Sequence, residues 1–179
     1  LERLRYLEHD EITPAGRSLA RLYSESDLVV AESLRTGAWD ALDPAELAAV
    51  VSALVYEARR DDDPAPKIPP GRCKDALHDL TRTWTELHHV ESDVGLDFLR
   101  EPDLGFAWLA WRWAKGHSLD AVLLDTSLAP GDFVRWIKQL IDLLDQLTIA
   151  APEESKVRVT ARKSVAALRR GVVAYSALT

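Results

Sequence analysis

Several residue types that mark particular protein classes are missing or scarce in this chain. Among 179 residues there is no methionine and one cysteine, Cys73. A lone cysteine excludes an internal disulfide, and nothing else indicates an oxidising compartment. The lack of an initiator methionine, together with a start inside what looks like a helix at residues 1–8, predicts that this sequence is part of a longer chain.

Long apolar runs and targeting signals are also absent. No stretch approaches the length of a membrane span, and the N-terminal sequence L-E-R-L-R-Y-L-E-H is too charged for a signal peptide. We therefore expect a cytoplasmic protein without a membrane partner.

The sequence lacks the short motifs that carry nucleotide binding or hydrolysis. There is no G-x-x-x-x-G-K-[ST], G-x-G-x-x-G, G-x-S-x-G or H-E-x-x-H. The acidic D-D-D-P at residues 61–64 follows no predicted strand, which argues against a Walker B carboxylate. His88, His89 and Asp93 lack zinc spacing, because adjacent histidines point apart on a helix. We expect no catalytic residue, metal or cofactor in this chain itself.

Acidic residues are missing from the last part of the chain, residues 155–179. From Gly131 onward there are eight Lys or Arg against five Asp or Glu, whereas the whole chain has a net charge of -7. The residues before Gly131 therefore carry -10. The overall charge argues against a protein that coats nucleic acid, but the C-terminal part is locally basic.

The pattern of apolar residues predicts an all-α fold. With 47% hydrophobic and 28% charged residues, the chain can bury one sizeable core. Helical spacing surrounds a short strand and turn at residues 12–17, and Ser18 resumes a helix that runs to Ser24. We predict a bundle of about seven or eight helices, the main ones at residues 26–34, 44–57, 73–94, 104–116, 119–124, 130–147 and 153–177.

The clearest helix start lies at Asp43. An N-cap aspartate, Pro44 at the first helical position and Glu46 three residues after the cap are typical of a capping box. The following A-E-L-A-A-V-V-S-A-L-V-Y-E is apolar nearly all round, which predicts the central buried helix. Glu57, at its far end, would emerge from the packed interior.

The helix predicted over residues 130–147 has apolar residues along one half of its surface. At 3.6 residues per turn the stripe contains Phe133, Ile137, Leu140, Ile141, Leu144 and Leu147, flanked by Val134, Trp136 and Leu143. The other face contains Arg135, Lys138, Gln139, Asp142, Asp145 and Gln146. So wide an apolar face predicts packing against several helices, with Arg135 on the face left for a ligand or water.

The charged candidates each have two interpretations. Arg135 pairs on the surface, for instance with Asp142, or it contacts a single-stranded base at an opening of the bundle. Glu57 is exposed to water or paired, and Arg135 is one candidate partner.

Arg158, Arg162 and Arg169 fall within about 40° of each other on a continuous helix. They form either a row for backbone phosphates or a solvated face.

The tryptophans of residues 108–113 also have two interpretations. Trp108 and Trp111 have the i, i+3 spacing of a core face, which favours core packing over base stacking for this group, Trp113 included.

Four segments taken together resemble one family. They are E-I-T-P-A-G-R-S-L-A-R-L-Y-S-E-S-D-L, L-D-P-A-E-L-A-A-V-V-S-A-L-V-Y-E, A-W-L-A-W-R-W-A-K-G-H-S-L and A-P-G-D-F-V-R-W-I-K-Q-L-I-D-L-L-D-Q-L. In this order they resemble the C-terminal helical (DSHCT) domain of superkiller-type DExH RNA helicases, in its bacterial form. The resemblance implies that residues 1–24 are the tail of a winged-helix domain, with I-T-P-A-G-R as its wing, and that residues 25–179 are the DSHCT helical bundle.

The resemblance also implies a function. In this family the positions matched by Arg135 and Glu57 approach RNA bases leaving the motor. Lys138 stands where relatives often have a second basic residue, and it is followed by Gln139. The family assigns nothing to the three arginines of the last helix.

We therefore expect a non-catalytic, RNA-guiding module of an ATP-dependent 3'-to-5' RNA helicase. Its partners would be single-stranded RNA, with DNA as an alternative, and the motor domains of the same chain. ATP and Mg²⁺ would be bound by the parent enzyme outside these residues. The alternative is a protein-docking helical domain that joins the helicase to RNA-processing partners, its acidic N-terminal part meeting a basic surface.

Overall fold

Helices account for most of the computed structural model, which describes residues 1–22, 26–58 and 65–175. The predicted all-α fold is confirmed. These ranges contain nine α-helices, compared with the seven or eight expected. None of the described helices is long and apolar enough to cross a membrane. The strands are β1 (Leu7–Glu8) and β2 (Glu11–Ile12). The helices are α1 (Pro14–Leu19), α2 (Asp27–Arg35), α3 (Pro44–Ser52), α4 (Cys73–Asp93), α5 (Ala107–Ala114), α6 (Leu119–Leu123), α7 (Pro130–Ala150), α8 (Lys156–Leu168) and α9 (Gly171–Tyr175), and a 3-10 turn at Leu104–Phe106 precedes α5.

The first twenty residues form a hairpin followed by a short helix. The strand predicted near Ile12 is confirmed, but the helix predicted at residues 1–8 is wrong, because β1 pairs antiparallel with β2. His9 and Asp10, between the strands, have positive φ angles, which turn the chain back on itself. α1 begins at Pro14 rather than Ser18, because the Thr13 hydroxyl caps it by accepting from the Gly16 N–H. α1 ends at Leu19, so the helix predicted from Ser18 to Ser24 is wrong at residues 20–22, and Ser24 itself lies outside the described residues.

Helix α3 is the buried centre of the bundle, as predicted. The Asp43 capping box is present, and every residue from Ala45 to Ser52 is buried. The helix ends five residues before Glu57, however, so the predicted end is wrong. The reason is a crossing segment: the Asp103 N–H donates to the Ala53 carbonyl at 2.9 Å and the Arg100 guanidinium donates to the Leu54 carbonyl at 2.8 Å. These carbonyls therefore receive partners from outside the helix.

Helix α7 packs its apolar stripe against the core in the predicted way. Phe133, Ile137, Leu140, Leu144 and Leu147 are fully buried. The opposite face holds residues that are exposed or half-buried. This helix packs against α8, α3 and α9, so its polar face is fixed relative to the rest of the bundle.

The predicted long C-terminal helix is interrupted between α8 and α9. Arg169 leaves the helical conformation, with φ -82° and ψ 68°. The next residue, Arg170, stacks its guanidinium 3.6 Å from the centre of the Trp113 ring and donates to the carbonyls of Trp113 and His117, each at 2.6 Å. Burial lowers the pKa of Arg170. A cation near the end of α5 is favourable electrostatically, so this tertiary contact breaks a helix that local spacing would continue.

Candidate nucleic-acid interface

Arg135 lies one turn into α7 on its exposed face. Its Nη2 atom is 3.3 Å from Asp132 Oδ1, and 47% of its side chain is exposed. Its guanidinium carbon lies 4.8 Å from the centre of the Trp136 ring. The ion pair is thus made within the first turn of α7 and not with Asp142, and the indole supports the guanidinium from the side of the core.

An aromatic contact joins this part of α7 to the chain leaving α3. The rings of Tyr56 and Trp136 meet edge to face, with centroids 5.3 Å apart, and Tyr56 also stacks on Phe106 at 5.2 Å. Because Glu57 follows Tyr56 and Arg135 precedes Trp136, the contact brings the two predicted site residues to the same end of the bundle.

Glu57 forms an ion pair with Arg100 and not with Arg135, the partner considered from the sequence. Its Oε2 atom is 3.3 Å from Arg100 Nη1, and 70% of its side chain is exposed. Arg100 is also anchored to the Leu54 carbonyl. No local pattern points to Arg100, because it lies in an irregular segment 43 residues from its partner. The carboxylate is held in place from one side and open to solvent on the other.

Lys138 lies one turn beyond Arg135 on α7. Its side chain is half-buried and makes an interaction within the fold. It adds a second cation to a polar face that also carries Asp132, Asp142 and Asp145, and it is less accessible than Arg135.

The three arginines proposed as a phosphate row do not share one setting. Arg158 donates to the carbonyl of Ala151, with the shorter bond 2.6 Å long, and to that of Ile149 at 3.2 Å, so it caps the C-terminal end of α7. Arg169 lies past the end of α8 and contacts Asp145 at 3.3 Å. Arg162 is exposed on α8. The prediction of one continuous row is therefore wrong, because Arg158 binds carbonyls at the C-terminal end of α7 and Arg169 lies outside α8.

The tryptophans divide into one core residue and one surface pair. Trp113 is buried, and its indole N–H donates to the Leu168 carbonyl at 2.9 Å. Trp108 and Trp111 are half-buried and stacked on each other, with centroids 5.4 Å apart. Core packing is thus confirmed for Trp113 and is incomplete for the other two.

The arrangement offers binding groups in the form of guanidinium donors, a carboxylate and aromatic faces. Burial raises the pKa of the Cys73 thiol to about 12, so this thiol is protonated and packed rather than nucleophilic. Within residues 1–22, 26–58 and 65–175, no group of three His, Cys, Asp or Glu side chains is placed to hold a metal ion.

The fold is thus that of an all-α helical domain with a cation-bearing face on α7. The model of the DSHCT (NUC185) domain matches residues 9–176. The chain belongs to the DSHCT domain family.

The proteins with similar sequences include helicases of mycobacteria and of a plant. The "Probable helicase HelY" of Mycobacterium leprae is 49% identical over 178 residues, covering 93% of this chain and 19% of that protein. The protein of the same description from Mycobacterium tuberculosis is 47% identical over 177 residues, with the same coverage. The DExH-box ATP-dependent RNA helicase DExH9 of Arabidopsis thaliana is 25% identical over 186 residues, covering 99% of this chain and 18% of that protein. The chain thus spans about a fifth of the length of these relatives, and its resemblance to the bacterial form is confirmed.

Proposed function

We propose that this chain is the RNA-guiding module of an ATP-dependent RNA helicase, and that it contacts single-stranded RNA leaving the motor. The observation that carries the proposal is the half-exposed Arg135, which is supported by Trp136 and lies at the same end of the bundle as Glu57. Arg135 would contact a base or phosphate, and Glu57 would orient the base. Lys138, Arg162 and the exposed parts of Arg158 and Arg169 would add positive charge.

The contacts of Arg135 are weak enough to be exchanged for RNA. A surface ion pair contributes about 0 to 1 kcal/mol, and the Arg135–Asp132 pair is of this kind. A guanidinium gains more from a bidentate contact with phosphate, whose geometry matches its planar fork. RNA can therefore compete for Arg135 without unfolding the start of α7.

The enzymatic part of the proposal concerns the parent protein. Relatives described as ATP-dependent RNA helicases are about five times longer than this chain, and the sequence here has no phosphate-binding loop. ATP and Mg²⁺ would bind in motor domains outside these residues, and the 3'-to-5' direction follows from the resemblance. The cytoplasmic location is proposed from the single cysteine and the charged N-terminal sequence. This module would then act by guiding the strand, with no chemical step of its own.

The division at residue 24 is part of the same proposal. Residues 1–24 would be the tail of a winged-helix domain. Its wing would be the β1–β2 hairpin and not I-T-P-A-G-R as predicted, because α1 begins at Pro14. The DSHCT bundle would begin at residue 25.

A titration of this chain with labelled single-stranded RNA tests the binding. We expect weak binding at about 50 mM salt, because few phosphates are contacted, and weaker binding at about 200 mM, because those contacts release counterions. A matched single-stranded DNA shows whether the 2'-hydroxyl contributes. No binding to either strand at the lower salt concentration would refute the proposal.

A docking function is favoured by a separate observation. Val94, Leu96 and Phe98 are 64%, 44% and 74% exposed, and Asp97 lies among them. Exposed apolar residues within one segment mark protein contacts more often than RNA contacts, and the acidic residue suits a basic partner. If RNA fails to bind at low salt, this surface becomes the better explanation of what the module does.

A further inference from the structure

The half-buried tryptophans of α5 form a second aromatic surface that the site above does not use. Trp108 and Trp111 are one helical turn apart, and their rings are nearly parallel, with an interplanar angle of 21°. A stacked indole pair at the surface is a large aromatic area that the core does not cover completely.

Cationic side chains surround this pair. Lys67 Nζ lies 4.1 Å from the centre of the Trp108 ring, and Lys115 Nζ lies 5.7 Å from that of Trp111. The guanidinium carbon of Arg112 is 6.0 Å from the Trp108 ring. Lys115 also contacts Asp43 at 3.3 Å, and Arg112 donates to the Ala121 carbonyl. Lys67 is exposed, and it lies over Trp108 from the loop that precedes α4.

The pair is connected to the candidate interface through the start of α5. Phe106, two residues before Trp108, stacks on Tyr56, which in turn contacts Trp136 beside Arg135. The end of α3, the start of α5 and the start of α7 therefore meet around Tyr56. Phe106 is buried, whereas Trp108, two residues further along, is half-buried, so the tryptophan surface lies on another side of α5 from this junction.

We propose that Trp108 and Trp111, with Lys67, form a second site for single-stranded RNA, at which a base stacks on Trp108. This inference rests on the proposed function and extends it to a further contact. Aromatic faces flanked by cations are the common means of binding single strands without sequence preference. The incoming base replaces the Lys67 ammonium on the Trp108 ring, since base stacking is stronger than an exposed cation–π contact. The displaced ammonium then pairs with a neighbouring phosphate.

Two substitutions give different signatures in an anisotropy titration with a 12-nucleotide oligoadenylate RNA. Trp108→Leu keeps an apolar side chain but removes the stacking face, so we expect an affinity at least about fivefold lower with an unchanged salt dependence. Lys67→Ala removes one phosphate contact, so we expect weaker binding and a salt slope smaller by about 1. An abasic strand of the same length should not distinguish Trp108→Leu from the wild type, because it has no bases to stack.

The control is Lys156→Ala, which removes an exposed lysine from the first turn of α8 and should leave both affinity and salt slope close to the wild type. Circular dichroism checks the folding of each variant. Photo-crosslinking of a 4-thiouridine strand to the wild-type chain provides a second readout, with the peptide containing Trp108 as the expected product.

The outcomes separate this site from the Arg135 proposal. Normal binding by Lys67→Ala together with no crosslink at Trp108 would overturn the tryptophan site, while weaker binding by Arg135→Ala would keep the proposed function. A crosslink at Trp108 with normal binding by Arg135→Ala would support the tryptophan site and contradict the role of Arg135. No binding by the wild-type chain at low salt would overturn both.

Discussion

At the scale of single residues, the guanidinium groups of this chain differ in what surrounds them. Arg158 and Arg170 donate to main-chain carbonyls near the ends of α7 and α5, whereas Arg135 has a half-exposed side chain with a carboxylate neighbour. Helical periodicity was sufficient to place Arg135 on the polar face. It could not identify Arg158 as a capping residue, because that role depends on how α8 lies against the end of α7. The first group therefore stabilises the fold, and Arg135 is available for binding.

Substitution of Arg158 should destabilise the protein. Arg158→Ala removes hydrogen bonds to the Ile149 and Ala151 carbonyls, and a hydrogen bond to a charged group contributes about 1.5 to 3 kcal/mol. Because the residue is half-buried, we expect a loss at the lower end, about 1 to 2 kcal/mol in the free energy of unfolding measured with urea. Arg162→Ala, on the exposed face of the same helix, should change stability by less than about 0.5 kcal/mol. Equal effects of the two substitutions would contradict the capping role.

At the scale of secondary-structure elements, helix starts followed local signals and helix ends followed tertiary contacts. The capping box at Asp43 forms where the sequence predicts it. α6 begins at the predicted residue 119, where the Ser118 side chain accepts from the Ala121 N–H. The ends of α3 and α8 differ from prediction. Past α3, the Arg100 guanidinium binds the Leu54 carbonyl. Past α8, Arg170 turns away to bind the Trp113 and His117 carbonyls near the end of α5.

The Asp43 cap gives a prediction about stability and pH. Asp43 accepts from the N–H groups of Ala45 and Glu46, so Asp43→Ala should cost about 0.5 to 2 kcal/mol in the free energy of unfolding. Burial alone would raise the pKa of Asp43, but the hydrogen bond from Glu46 and the charge of Lys115 outweigh it, and the pKa is lowered. The charged cap therefore stabilises the fold above the unfolded pKa of about 3.9, and this part is lost as pH falls through the lower folded value.

Chemical denaturation of the wild type and Asp43→Ala at several pH values measures this effect. The stability difference should be largest near neutral pH and should shrink below about pH 4. Asp75→Ala, which changes an exposed aspartate in the first turn of α4, is the control and should show a smaller difference. A difference for Asp43→Ala that grew on acidification would contradict the account.

At the scale of the whole molecule, buried polar contacts hold distant parts of the chain together. The Tyr6 hydroxyl donates to Glu32 at 2.5 Å, and Arg35 binds the same carboxylate, which ties the N-terminal hairpin to α2. Helical periodicity predicted the core helices and put Arg135 on an accessible face, whereas the accessible Glu57 lies beyond the end of α3. It missed the hairpin partner of Ile12 and the Arg100 partner of Glu57, because both depend on how segments meet after folding. The spacing of apolar residues therefore predicts which face of a helix is buried. It does not predict which groups the polar side chains of that helix contact.

The Tyr6 contact predicts a loss of stability at alkaline pH. Burial, together with the hydrogen bond to Glu32, raises the pKa of Tyr6. Above about pH 10 the unfolded tyrosine ionises while the folded one stays protonated, so its contribution falls as pH rises. Tyr6→Phe should lower the free energy of unfolding by about 1 kcal/mol at neutral pH. The difference in this free energy between the variant and the wild type should become smaller above about pH 10. Thermal melts at several pH values measure this difference. Tyr175→Phe, at a residue that is 76% exposed, is the control and should change neither the stability at neutral pH nor its dependence on pH.

The most direct test uses the full-length parent protein, the proposed helicase, with Arg135→Ala and with Arg82→Ala. Arg82 pairs with Asp79 three residues earlier on α4 and is 61% exposed, which matches the pair formed by Arg135 and Asp132. We predict that Arg135→Ala lowers RNA-stimulated ATP hydrolysis and unwinding while the melting temperature stays unchanged, and that Arg82→Ala alters none of these. Full RNA stimulation in Arg135→Ala, or an equal loss in both variants, would contradict the role of Arg135 in guiding RNA.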